Sequence, residues 1–74
     1  MKINLGKNDL TLLSDVQIRL VTDPNEEIDL DSALDLLQEI YRVEAMYANS
    51  DREMEQKLAE DYAHLADKIY KQIS

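Results

Sequence analysis

The stretch TDPNEEIDLDSALD, residues 22–35, holds six carboxylates and no base. Acidic groups at alternate positions are what a calcium loop requires. Counted from Asp23, the chain offers Asp23, Asn25, Glu27, Asp29 and Asp31 in that register. An EF-hand loop also needs glycine at its sixth position, for a sharp turn, and a bidentate glutamate at its twelfth. Here the sixth position is Ile28 and the twelfth is Leu34, while Pro24 fixes the backbone of the second. The pattern fails where it discriminates, so no metal site is expected. A local reading covers every residue: a turn over 22–25 around Pro24, a solvated lead-in at Glu26 and Glu27, and a helix start at Asp29 and Asp31. Carboxylates there satisfy free N–H groups and meet the positive end of the helix dipole.

His64 is the second place to look. It follows Glu60 by four residues and Asp61 by three, and precedes Asp67 by three. Asp61-x-x-His64 matches half of the pattern used by di-iron helical bundles, which need two such halves and further inward carboxylates. A metal-assisted enzyme would have to centre on Glu60, His64 and Asp67. His64 instead falls with Glu53, Lys57 and Lys71 on the polar side of its helix, where a solvated histidine is expected. Ser14, Ser32, Ser50 and Ser74 have no local histidine and aspartate arrangement, and there is no glycine-rich phosphate loop. No catalytic residue, cofactor or enzyme activity is expected.

The elements that must position any site are bounded by composition. Seventy-four residues make one domain. A chain this short buries only about 60–65% of its unfolded surface, so small domains lean on disulfides, metals or partner chains. Cysteine is absent and histidine occurs once, which leaves oligomerisation as the available support. Gly and Pro occur once each, so the chain is mostly regular structure. No apolar run approaches the roughly 20 residues of a membrane span, and MKINLGKND lacks a signal-peptide core, so a cytoplasmic location is expected. The net charge is −8, which opposes direct nucleic-acid binding and anionic membranes. Residues 22–39 alone sum to −7.

Periodicity predicts an all-α fold: a small bundle of three helices over about 7–21, 29–48 and 51–73. Gly6 and Asp9 mark the first start, with Leu5 and Leu10 at hydrophobic-staple spacing. Val16, Ile18 and Leu20 also alternate as a strand would, but a helix to Val21 is preferred, with Pro24 enforcing the stop. In the second helix Leu30, Ala33, Leu34, Leu37, Ile40 and Tyr41 form a stripe that Leu36, Val43 and Tyr47 widen to about half the cylinder. One neighbour does not require so wide a sector. Asn49 is placed as a left-handed helix end, and Ser50-x-x-Glu53 as a capping box for the third helix. The short break makes the last two helices an antiparallel hairpin, against the rival of one continuous helix. A dimer burying the wide face of the second helix is favoured over a monomer.

These observations point to a small acidic module that binds a protein partner, basic in character, through a helix face: an adaptor, antagonist or immunity-type factor. Glu44 lies inside the apolar sector, so it must be paired, with Arg19 or a tyrosine hydroxyl as partner, or mark the edge where the core meets solvent, or serve an interface. Tyrosines suit interfaces because each joins apolar area to a polar tip. Tyr41 and Tyr62 read as core, Tyr47 and Tyr70 as stripe edges. The candidate partner-binding set is Glu44, Tyr41, Tyr47, Leu36, Val43 and Tyr70. The alternatives are an acidic nucleic-acid mimic, using the carboxylates of 22–39 and 51–67, and a structural subunit of a larger assembly.

Overall fold

The computed structural model describes residues 1–74 in the order β1 (Lys2–Ile3), α1 (Lys7–Asp15), β2 (Glu26–Glu27), α2 (Leu30–Ala48) and α3 (Glu53–Ile73). α2 and α3 pack along each other as a helical hairpin and form the body of an all-helical bundle. No helix is long and apolar enough to cross a membrane.

α2 starts as its sequence dictates. Asp29 is extended, and its carboxylate accepts the Ser32 N–H at 2.7 Å, while Asp31 sits in the first turn. This satisfies one of the N–H groups that every helix start leaves free. α1 also starts as expected at Gly6, whose N–H donates to the Asp9 carboxylate at 2.9 Å.

α1 stops six residues short of the expected Val21. Its end is a Schellman motif: Ile18 N–H donates to the Leu13 carbonyl at 2.9 Å and Gln17 N–H to the Ser14 carbonyl at 3.0 Å. Gln17 takes the left-handed conformation, φ 62°, that this closure demands. The reward is apolar. The turn drops Ile18 into the core beside Leu13, and Val21 follows it inside, whereas a continued helix would have left Ile18 off its stripe. Residues 16–21 are neither helix nor strand.

The α2–α3 connection also differs. Ser50 forms no capping box. Its hydroxyl accepts the Arg52 N–H at 3.1 Å, a local serine turn, and Gln56 donates to the Ser50 carbonyl at 3.0 Å. Arg52 becomes the N-cap, and Asn49 stays at φ −85°. The break is therefore residues 49–52, and the hairpin reading holds over the continuous helix.

A two-stranded antiparallel ribbon was not anticipated. Lys2 lies opposite Glu27 and Ile3 opposite Glu26. Its signal was present: Ile3 and Leu5 are buried, and Lys2 and Asn4 between and before them are exposed, the period of a strand. On the other side, Asn4 N–H donates to the Gln72 side-chain carbonyl at 2.7 Å, and Gln72 Nε2 donates back to the Asn4 carbonyl at 2.9 Å. One amide of α3 thus acts as a neighbouring strand would. Asp9 makes a second tie to α3, receiving Lys68 Nζ at 2.6 Å.

The core is one cluster drawn from all segments: Ile3, Leu5, Leu13, Ile18 and Val21 from the N-terminal part, with Leu36, Ile40, Val43, Tyr62, Leu65 and Ile69 among its hairpin members. The one phenol fully inside, Tyr62, donates to the Leu12 carbonyl at 2.6 Å, and no buried side-chain polar atom lacks a partner.

Candidate functional site

The wide apolar sector of α2 divides in two. Ala33, Leu36, Leu37, Ile40 and Val43 face the chain's own core. Leu30, Leu34 and Tyr41, spaced by 4 and 7 residues, lie together on the flank beyond it. They are 51%, 42% and 45% exposed. Three large apolar side chains thus share one exposed side of α2.

The flank continues onto α3. Glu44 and Ala48 of α2 and Gln56, Ala59, Glu60 and Ala63 of α3 line a shallow groove of about 270 Å³ along the hairpin. Helical spacing carries the same side of α3 from Ala59 and Ala63 to Tyr70, which is 55% exposed. Small residues floor the groove, large apolar ones extend it, and two carboxylates stand in its lining. Neither carboxylate takes part in an ion pair.

The sequence-derived partner-binding residues separate accordingly. Tyr41 and Tyr70 are on this surface, and Tyr41 is not the core residue its stripe position suggested. Glu44 is half-buried in the groove; neither Arg19 nor a tyrosine hydroxyl reaches it. Arg19 instead borders a depression of about 570 Å³ with Arg42, Asp35 and Glu39. Tyr47 is half-buried and stacks on Tyr62, ring centroids 5.9 Å apart. Leu36 and Val43 are buried in the core, because α1 and the connection after it roof that face; they present no surface to a partner unless the chain opens. Leu30, Leu34, Ala59, Ala63 and Glu60 also lie on this surface and are outside that set. Leu30 and Leu34 were visible as stripe members, but sequence could not say which edge α1 would leave bare.

The acidic stretch is largely engaged locally. The Glu26 carboxylate accepts Thr22 N–H at 3.2 Å and Asp23 N–H at 3.3 Å, pinning the corner where Pro24 precedes Asn25 at φ 58°. The terminal ammonium lies 2.9 Å from Glu27 and, through that hydrogen bond and its charge, holds the Glu27 carboxyl below the usual range. The Ser32 N–H, then its hydroxyl, does the same for Asp29. Glu39 pairs with Arg42 at 2.6 Å.

His64 is exposed, in a depression of about 480 Å³ between α1 and α3 that also holds Asp9, Asp61 and Lys68. Asp9 is already taken by Gly6 and Lys68. Glu60, His64 and Asp67 are not gathered: no three His, Asp or Glu side chains meet at a spacing that could hold a metal ion. Asp67 pairs with Lys71 at 2.9 Å.

No family model matches the chain, and no curated protein or solved structure matches it.

Proposed function

We propose that this protein is a small acidic binding module, without an enzymatic activity of its own, that engages a partner protein through the α2 flank of its hairpin. The observation that carries the reading is the line Leu30, Leu34 and Tyr41, three exposed large apolar side chains that share one side of α2, whereas Met46 and Met54 stand apart from it. Interfaces of this kind place apolar and aromatic anchors at the centre and polar groups at the rim. The rim here is acidic, and the net charge of −8 favours fast encounter with a basic partner, weakening as salt rises. The nucleic-acid mimic has less support. Among the seven carboxylates of residues 22–39, Glu26, Glu27, Asp29 and Glu39 are held by local hydrogen bonds or ion pairs and are not free to copy a phosphate array.

The test is capture on immobilised protein from the native host, read by mass spectrometry. The wild type is compared with Leu34→Asp/Tyr41→Asp and with Met54→Asp, a control at an exposed position on α3. Both variants should fold, since every change is at an exposed position. A partner held by the wild type and the control but lost by the double variant supports the flank. A partner retained equally by all three removes it.

A further inference from the structure

The groove between α2 and α3 allows the partner's chemistry to be stated more closely, on the premise that the flank is the binding surface. Its floor of Ala48, Ala59 and Ala63 keeps side-chain bulk low along a line between two helices. A partner helix lying there could bring its axis to the short end of the usual 8–10 Å, a distance that larger floor residues would widen. From Ala48 back to Leu30 the flank runs for about 27 Å at 1.5 Å per residue, the length of a helix of about 18 residues.

Charge selects the occupant. Glu44 projects from one wall and Glu60 from the other, and no lysine or arginine lines the groove. Every lysine or arginine that pairs within the chain does so elsewhere: Arg42 with Glu39, Arg52 with Glu55, Lys68 with Asp9 and Lys71 with Asp67. A second copy docked groove to groove about a two-fold would set Glu44 and Glu60 against like charges, and each copy carries −8. An apolar stripe bordered by lysine or arginine would complement both the floor and the walls. We infer that the groove receives a cationic amphipathic helix of the partner, its apolar face on Ala48, Ala59, Ala63 and Tyr41 and its basic side chains against Glu44 and Glu60. This is the helix-in-groove mode of recognition.

The probe is a synthetic helix of about 18 residues with a leucine stripe flanked by lysines, set against a counterpart with glutamate at every lysine position. Both are titrated into the isotope-labelled full chain and followed by amide shifts. The inference expects saturable binding of the lysine peptide, with shifts concentrated at Glu44, Ala48, Ala59 and Ala63, and binding of the glutamate peptide about tenfold weaker or less. Glu44→Gln/Glu60→Gln should weaken the lysine peptide about tenfold, whereas Asp23→Asn/Asp51→Asn, equal in charge but outside the groove, should change it less than about twofold. Equal loss in both double variants means a diffuse acidic field and overturns the inference. So do shifts centred elsewhere, or sedimentation showing the chain alone as a dimer with these amides protected. Equal binding of both peptides in the groove overturns the cationic helix but leaves the flank reading standing. No binding of either overturns the cationic helix, and together with capture indifferent to Leu34→Asp/Tyr41→Asp it removes the flank reading as well.

Discussion

The Tyr62 hydroxyl, midway along α3, donates to the Leu12 carbonyl in the last turn of α1 at 2.6 Å. The same ring stacks on Tyr47, so one side chain of α3 touches both other helices. Burial, followed by the nearby Tyr47, Asp15 and Asp61, pushes the Tyr62 phenol up to about 12.

That shift gives an alkaline test. An unfolded tyrosine ionises near pH 10. Between about pH 10 and about 12 the unfolded chain has lost the proton and the folded chain retains it, so stability must fall as pH rises through that window. Below it the contribution is fully present. Tyr62→Phe should be less stable at neutral pH, by about 1 kcal/mol for the lost hydrogen bond. It should also lose much of the alkaline decline. Denaturant titrations of both proteins from pH 8 to 12 check this.

Gln17 is the reverse case, a residue stabilised by replacement. It holds φ 62°, where an L side chain is strained by about 1 kcal/mol. Glycine adopts that conformation freely but costs some chain entropy in the unfolded state. Gln17→Gly should therefore raise stability by about 0.5 kcal/mol, or a few degrees in Tm. Gln17→Val should lower it, because a β-branched residue resists the left-handed region. Thermal melts of the three proteins decide the sign.

Asp29 governs the acid side. Its carboxyl lies below the usual range because the Ser32 N–H donates to the charged form. A lowered folded value means stability is present above pH about 4 and is lost as pH falls through the folded value. Asp29→Asn keeps a capping oxygen and should flatten this part of the acid limb. Asp29→Ala removes the cap and should lower the Tm at neutral pH as well. Circular dichroism melts between pH 2 and 7 read both effects.

Gln72 tests the clasp on Asn4. Removing its amide in Gln72→Ala leaves the Asn4 N–H and carbonyl to water, at an expected cost of about 1 kcal/mol. Gln72→Glu keeps the acceptor for the Asn4 N–H and loses the donor to its carbonyl, so it should fall between the wild type and alanine. Amide exchange at Asn4 should quicken in the same order.

Much of this architecture was readable from local chemistry. The start of α2 at Asp29, the Gly6–Asp9 contact and the hairpin follow from residue type and spacing within a few positions. What escaped depends on residues far apart in the chain. The end of α1 goes with Ile18 joining Leu13 in the core, and the ribbon with residues 2–3 meeting residues 26–27. Ser50 had two local partners of similar merit, and the nearer N–H, that of Arg52, prevailed. The width of the α2 stripe was legible, but its division between core and open flank was not. That boundary depends on where α1 settles, which no pattern within α2 encodes.

The ties of the N-terminal segment reach across 50, 59 and 68 positions: Leu12 to Tyr62, Asp9 to Lys68 and Asn4 to Gln72. The hairpin needs only a four-residue bend to bring its helices together. Closing a long loop costs more entropy than closing a short one, so assembly has a preferred order. Loop closure thus favours an order in which α2 and α3 pair before the leading segment docks on them as a latch. A chain with that latch undone would open Leu36, Val43 and Tyr62 to water and would be stickier than the closed protein.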